Sequence, residues 1–158
     1  MPLIRSALAD DVPLILEFIR ALADYEKLSH ECEATEAQLR ATLFPADGAP
    51  VAHCVLAFAD GAPAGFALYF FNFSTFLARP SLYLEDLFVR AEFRGQGIGK
   101  ALLLHLAKLA NARGCGRMEW SVLDWNQPAI NFYEALGAQR MKDWQLCRLT
   151  GAALRQYA

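Results

Sequence analysis

Ser81-Leu82-Tyr83-Leu84-Glu85-Asp86-Leu87-Phe88-Val89, followed closely by Arg94-Gly95-Gln96-Gly97-Ile98-Gly99-Lys100 and then by the helical run Ala101 to Ala112, decides the reading of this chain. It predicts an apolar strand, a glycine turn and a helix in that order. A helix N-terminus leaves backbone N–H groups unpaired and carries partial positive charge, so glycines that expose those groups make a site for phosphate. The expected ligand is a phosphorylated cofactor. Spacing excludes two nucleotide patterns. A P-loop needs Gly at 94, where Arg stands, and Ser or Thr at 101, where Ala stands. A dinucleotide fingerprint begun at Gly95 meets Lys100 where a small residue is required, and one begun at Gly97 fails at Leu102. Arg-x-x-Gly-x-Gly between strand and helix remains.

Working outward, Asp60-Gly61 between the runs 51–59 and 64–73 is a strong hairpin signal. The second run contains Gly65-Phe66-Ala67-Leu68-Tyr69-Phe70-Phe71, apolar on both faces, which predicts a mid-sheet strand. Upstream lies a short strand over 3–7. A helix then starts at Asp10-Asp11-Val12-Pro13, with Leu14, Ile15, Phe18, Ile19 and Leu22 at helical spacing. Thr35 and Gln38 stand in capping-box order at the start of a second helix. Downstream of the turn, Gly114 and Gly116 stop the helix. A strand over 118–123, a short helix over 128–136 and a last strand over 144–149 follow. This order predicts an α/β fold with a mixed, mostly antiparallel central sheet and helices on both faces.

The 158 residues have room for one domain, expected to span 1–158. Hydrophobic residues make up 55% and charged residues 20%, without linker, repeat or low-complexity block, so the chain is expected to fold throughout. A net charge of −2 argues against nucleic-acid and anionic-membrane partners, which require basic patches. The N-terminal residues show no basic-then-apolar leader and no apolar run spans a bilayer, so a cytoplasmic location is expected. Cys32, Cys54, Cys115 and Cys147 are scattered as reduced structural thiols are, and no metal is expected.

Two side chains stand out for chemistry. Glu85 lies in an apolar strand just before the turn, where a carboxylate is costly unless it faces a pocket or a partner. Strand alternation sends Glu85 and Asp86 to opposite faces unless a bulge intervenes, so the base role goes to Glu85 and a secondary role to Asp86. An ion pair or loop cap is the alternative for each. Tyr133 follows Asn131-Phe132 on a short helix. A phenol stays protonated at neutral pH and can serve as a proton donor, although composition alone favours a core tyrosine. Asn126 suits either a helix cap beside Pro128 or a polar contact to an amide-rich ligand arm. His30, His53 and His105 have no partner spacing.

Tyr83-Leu84-Glu85-Asp86, the Arg94 to Gly99 turn, Trp125-Asn126-Gln127 and Tyr133-Glu134-Ala135-Leu136-Gly137-Ala138 together resemble the diamine acetyltransferase branch of the GNAT superfamily. The resemblance covers nearly the whole chain, including Leu22 to Leu28. It implies acetyl-CoA as co-substrate, direct attack by a primary amine in a ternary complex, and a homodimer. It implies Glu85 as base, acting directly or through water, and Tyr133 as acid. Implied cofactor contacts are Leu87, Phe88 and Val89; Arg94, Gly95, Gln96, Gly97, Ile98, Gly99 and Lys100; and Asn126, Gln127, Pro128 and Ala129. The implied acceptor pocket holds Tyr25, Glu26, Glu85, Asp86, Glu119, Trp120 and Ser121.

Within the branch, Tyr25-Glu26-Lys27-Leu28-Ser29 and Leu123-Asp124-Trp125-Asn126-Gln127 look closer to the thialysine type than to the spermidine/spermine type. Arg140-Met141-Lys142-Asp143 stands where the polyamine type offers acidic residues. The expected acceptor is therefore a lysine-like amino acid or short diamine. Polyamine acetylation, protein N-terminal acetylation and non-catalytic acyl-CoA sensing are the alternatives.

Overall fold

The computed structural model describes every residue from Met1 to Ala158. Asp60 and Gly61 adopt positive φ angles of 49° and 82°, the left-handed pair that a tight two-residue hairpin requires. They join β2 (His53–Ala59) to β3 (Ala62–Ser74). β1 (Leu3–Ser6) lines the outer edge of β2, and β4 (Arg79–Val89) returns antiparallel along β3. β5 (Met118–Trp120) adds to β4 in parallel, reached through α3 (Ile98–Ala112). The sheet order is β1-β2-β3-β4-β5, so β3 is central as its two apolar faces predict.

Cross-strand partners share a face, which assigns the paired side chains of β3 and β4. One face carries Phe66, Leu68 and Phe70 with their β4 partners Phe88, Asp86 and Tyr83. Helix α1 (Val12–Tyr25) covers it, with the Phe18 ring stacked 5.4 Å from Phe66. Helix α2 (Glu36–Leu43) adds Leu39 and Leu43 to that core, and its start is held by the Thr35–Gln38 capping box. The opposite face carries Ala67, Tyr69 and Phe71 against Leu87, Leu84 and Leu82. Helix α3 lies there: a Cβ placed on Gly99 would sit 3.7 Å from both Leu87 and Val89. Helices on both faces of a mixed, mostly antiparallel sheet are thus found as expected.

The ladder between β4 and β5 ends at Leu84 and Trp120, while β4 stays paired with β3 as far as Val89. The strand expected over 118–123 is accordingly three residues long.

Contacts divide the chain into two compact units, Met1–Ser121 and Val122–Ala158. The second holds α4 (Gln127–Ala135) and the short α5 (Gly151–Arg155). The expected last strand over 144–149 is absent. That segment has no regular structure, with Trp144 75% and Leu146 78% exposed, and a helical turn follows it at 151–155. Alternating apolar residues identify a chain able to pair, but a strand exists only where an edge supplies its hydrogen bonds.

Candidate active site

Tyr25 and Glu26, expected on the acceptor side, are fixed by how α1 ends. Lys27 turns left-handed at φ 63°, the Lys27 amide donates to Asp24 O at 3.1 Å and the Leu28 amide to Ala23 O at 2.8 Å. This closing motif satisfies the last helix carbonyls and leaves Tyr25 and Glu26 at the end of α1. The Tyr25 ring lies 6.4 Å from that of Phe88 on β4. Burial pushes the Glu26 carboxyl above its ordinary value.

β4 brings its own carboxylates to the same place by an irregularity. Leu84 faces Tyr69 and Asp86 faces Leu68, so two steps on β4 match one on β3 and Glu85 is the extra residue of a β-bulge. The bulge cancels the alternation. Tyr83, Glu85, Asp86 and Phe88 therefore all belong to the α1 side, and the expected separation of Glu85 from Asp86 does not occur. Glu85 is exposed and Asp86 half-buried. The Asp86 carboxyl is pushed up to about 6, by burial first, then by the Glu85 charge and then by Glu26. Three carboxylates thus share one electrostatic neighbourhood, an arrangement that favours a cation.

The turn stands at the C-terminal end of β4. Gly95 and Gly97 take φ angles of 75° and 79°, and Gly97 caps α3, so the glycines are needed for the backbone they adopt. Arg94 donates from Nε to Val89 O at 2.9 Å, and its guanidinium lies 4.6 Å from the Tyr25 ring centre and 5.5 Å from that of Phe88. On β5, Glu119 pairs with Arg117 at 2.9 Å. Trp120 is opposite Leu84, and Ser121 Oγ is 2.9 Å from the Tyr83 hydroxyl. Tyr83 escaped the sequence reading as a site residue. Its signal is its position two residues before Glu85, on the same face.

In the second unit, the Asn126 side chain accepts from the Ala129 amide at 3.4 Å, the helix-cap alternative of its two readings. Gln127, Pro128 and Ala129 form the first turn of α4, and Tyr133 lies one turn further on, half-buried, its ring 5.2 Å from that of Phe132. Glu134 pairs with Arg140 at 2.8 Å. No helix of the chain is long and apolar enough to cross a membrane.

A strand that keeps its β3 partner after losing β5, a bulge at its centre and a glycine turn at its end form one continuous element. The model of the Acetyltransferase (GNAT) family matches residues 18–138. The chain belongs to this family. As a GNAT acetyltransferase it is 40% identical to the thialysine N-epsilon-acetyltransferase of Bos taurus, over 99% of the chain and 96% of that protein. It is 37% identical to the L-ornithine N5-acetyltransferase of Arabidopsis thaliana, over 96% and 86%. In three dimensions the GNAT fold superposes on an integron cassette protein from the mobile metagenome of V. cholerae. There the TM-score is 0.80, at 24% identity, covering 99% of this chain and 96% of the other.

The acidic cluster of this GNAT chain has a cost that can be measured. Folded Asp86 keeps its proton up to about pH 6, whereas an unfolded aspartate loses it near 3.9. Between those values the folded state binds more protons, so stability falls as pH rises through the window and the full penalty applies above it. Asp86→Asn removes the charge. It is expected to raise Tm at about pH 7.5 by roughly 2–8 °C, or ~1–3 kcal/mol, and to give no gain at about pH 4. Thermal unfolding at the two pH values checks this. An equal gain at both would show that buried charge is not the cause.

Proposed function

We propose that this enzyme transfers the acetyl group of acetyl-CoA to the primary amine of a lysine-like amino acid or short diamine, by direct attack in a ternary complex. The observation that carries the reading is the bulge that sets Glu85 and Asp86 on one face beside Glu26. An acceptor with a second cationic group engages two carboxylates while its reacting amine meets the third. A relative that acts on thialysine and another that acts on ornithine support the same acceptor class.

The glycine turn from Arg94 to Lys100 offers backbone N–H groups and a helix N-terminus to the cofactor's pyrophosphate. The β4 backbone at Leu87, Phe88 and Val89 offers donors and acceptors along the stretch where its β5 ladder has ended, with Asn126, Gln127, Pro128 and Ala129 as further contacts. Acetyl-CoA supplies an activated thioester. Glu85 removes the proton from the bound ammonium, directly or through water, because only about one alkylamine in a thousand is neutral at pH 7. The neutral nitrogen attacks the thioester carbonyl, the carbon–sulfur bond breaks, and the nitrogen of the new amide releases its remaining extra proton to solvent. Tyr133 gives its proton to the departing thiolate and recovers one from solvent. Tyr25, Glu26, Asp86, Glu119, Trp120 and Ser121 line the acceptor side. A homodimer in the cytoplasm completes the reading.

The competing polyamine reading places no weight on Arg140 and Lys142, whose charges oppose a polycation. Arg140 is already engaged by Glu134, which weakens that opposition without reversing it. The test is thiol release from acetyl-CoA at about pH 8 with thialysine, lysine, ornithine, short diamines, spermidine and spermine. Preference for the first four groups is expected. A panel led by spermidine or spermine would overturn the acceptor, and stabilisation by acetyl-CoA without turnover of any amine would leave a sensor.

A further inference from the structure

Arg94 is the first residue of the glycine turn, yet its side chain leaves the turn altogether. Its Nε donates to Val89 O at 2.9 Å, at the end of β4. Its guanidinium then lies 4.6 Å from the centre of the Tyr25 ring and 5.5 Å from that of Phe88. Tyr25 and Phe88 are themselves 6.4 Å apart, so cation and rings form a closed triangle. One corner is the turn, one is β4 and one is the end of α1, where Glu26 follows directly. The bonds that close α1 are local: the amides of Glu26, Lys27 and Leu28 donate to Leu22, Asp24 and Ala23. The position of this helix end against the sheet therefore draws on contacts such as the Tyr25 ring makes. A cation over two rings constrains both only while it is held, and the turn that carries Arg94 owes its shape to two left-handed glycines rather than to packed side chains.

We propose that Arg94 is a positioning residue that couples the two halves of the site, so that a ligand settling on the glycine turn fixes the guanidinium, and the guanidinium fixes Tyr25 and Glu26. The inference rests on the reading of the turn as the acetyl-CoA site. It adds that cofactor occupancy orders the acceptor wall, and by reciprocity that an occupied acceptor wall tightens cofactor binding.

Amide hydrogen exchange at Glu26, Lys27 and Leu28, with and without saturating CoA, reads the coupling without any acceptor amine. In the unaltered protein, CoA is expected to slow exchange at these amides about fivefold or more. In Arg94→Lys, which keeps the charge but loses the planar stack and the Nε bond, the response to CoA falls below about twofold. Tyr25→Leu, which removes the ring and leaves the turn untouched, does the same, whereas Tyr25→Phe keeps the response because the ring suffices. A purely structural Arg94 would raise exchange equally with and without CoA. That result, or a full CoA response in Tyr25→Leu, overturns the proposal. CoA binding seen by thermal shift with no change at these amides in the unaltered protein also overturns it, while the cofactor reading stands. Absence of any CoA-induced thermal shift removes the cofactor reading and the coupling together.

Discussion

Glu85→Gln is expected to lower kcat/KM for the preferred amine about 100-fold, the lower end of what a positioned base contributes. The substitution keeps volume and polarity and removes proton affinity, so the loss reports the base and not a cavity. The pH profile is the sharper readout. With the base gone, reaction depends on amine that is already neutral, and the rate climbs toward the amine's own pKa near 10.4. The variant's optimum therefore moves upward, and its deficit shrinks as pH rises. An unchanged profile would take Glu85 out of the mechanism. Because the bulge sets Asp86 on the same face, the comparison with Asp86→Asn matters. Neighbouring carboxylates act as a unit, so the two losses are expected to combine non-additively, with the double variant well above the product of the singles.

Tyr133→Phe is expected to lower kcat about 100-fold with the Kd for acetyl-CoA within about threefold of the original. The loss comes from the leaving group. A thiol of pKa near 8.5 departs as an anion with moderate ease, so the acid helps most where the medium would otherwise protonate the thiolate after departure. Above about pH 9 the free thiolate is the stable product and the deficit narrows. The two variants both improve with pH but for separable reasons: substitution of Glu85 follows the amine's titration and substitution of Tyr133 the thiol's. A large loss of acetyl-CoA binding in Tyr133→Phe would mean that the ring packs against the cofactor and delivers no proton to it.

What the sequence disclosed was whatever is written in backbone-demanding residues. Asp60-Gly61, the glycines of the turn and the Thr35–Gln38 box each need a particular local conformation, and each is found where its residues place it. The bulge at Glu85 was harder, since no glycine marks it. Its trace is the pair Glu85-Asp86 between Leu84 and Leu87, two polar residues in succession where alternation allows one. The pairing register, which depends on β3 as well as β4, makes that trace readable. The Arg94 triangle was illegible for a related reason: Tyr25 and Arg94 are far apart in the chain and meet only through the fold. The last strand failed in the other direction, because a pattern of side chains does not create a hydrogen-bonding edge.

The ladder that stops at Leu84 and Trp120 also bears on handling the protein without its ligands. From Glu85 to Val89, β4 has no β5 partner along that edge, and unpaired strand edges are the templates by which sheets self-associate. The same five residues carry two of the devices that suppress such pairing, a bulge that turns the backbone away and a bare carboxylate at its centre. Glu85 therefore stands where its charge also opposes such pairing, and neutralising it is expected to raise self-association of the ligand-free protein.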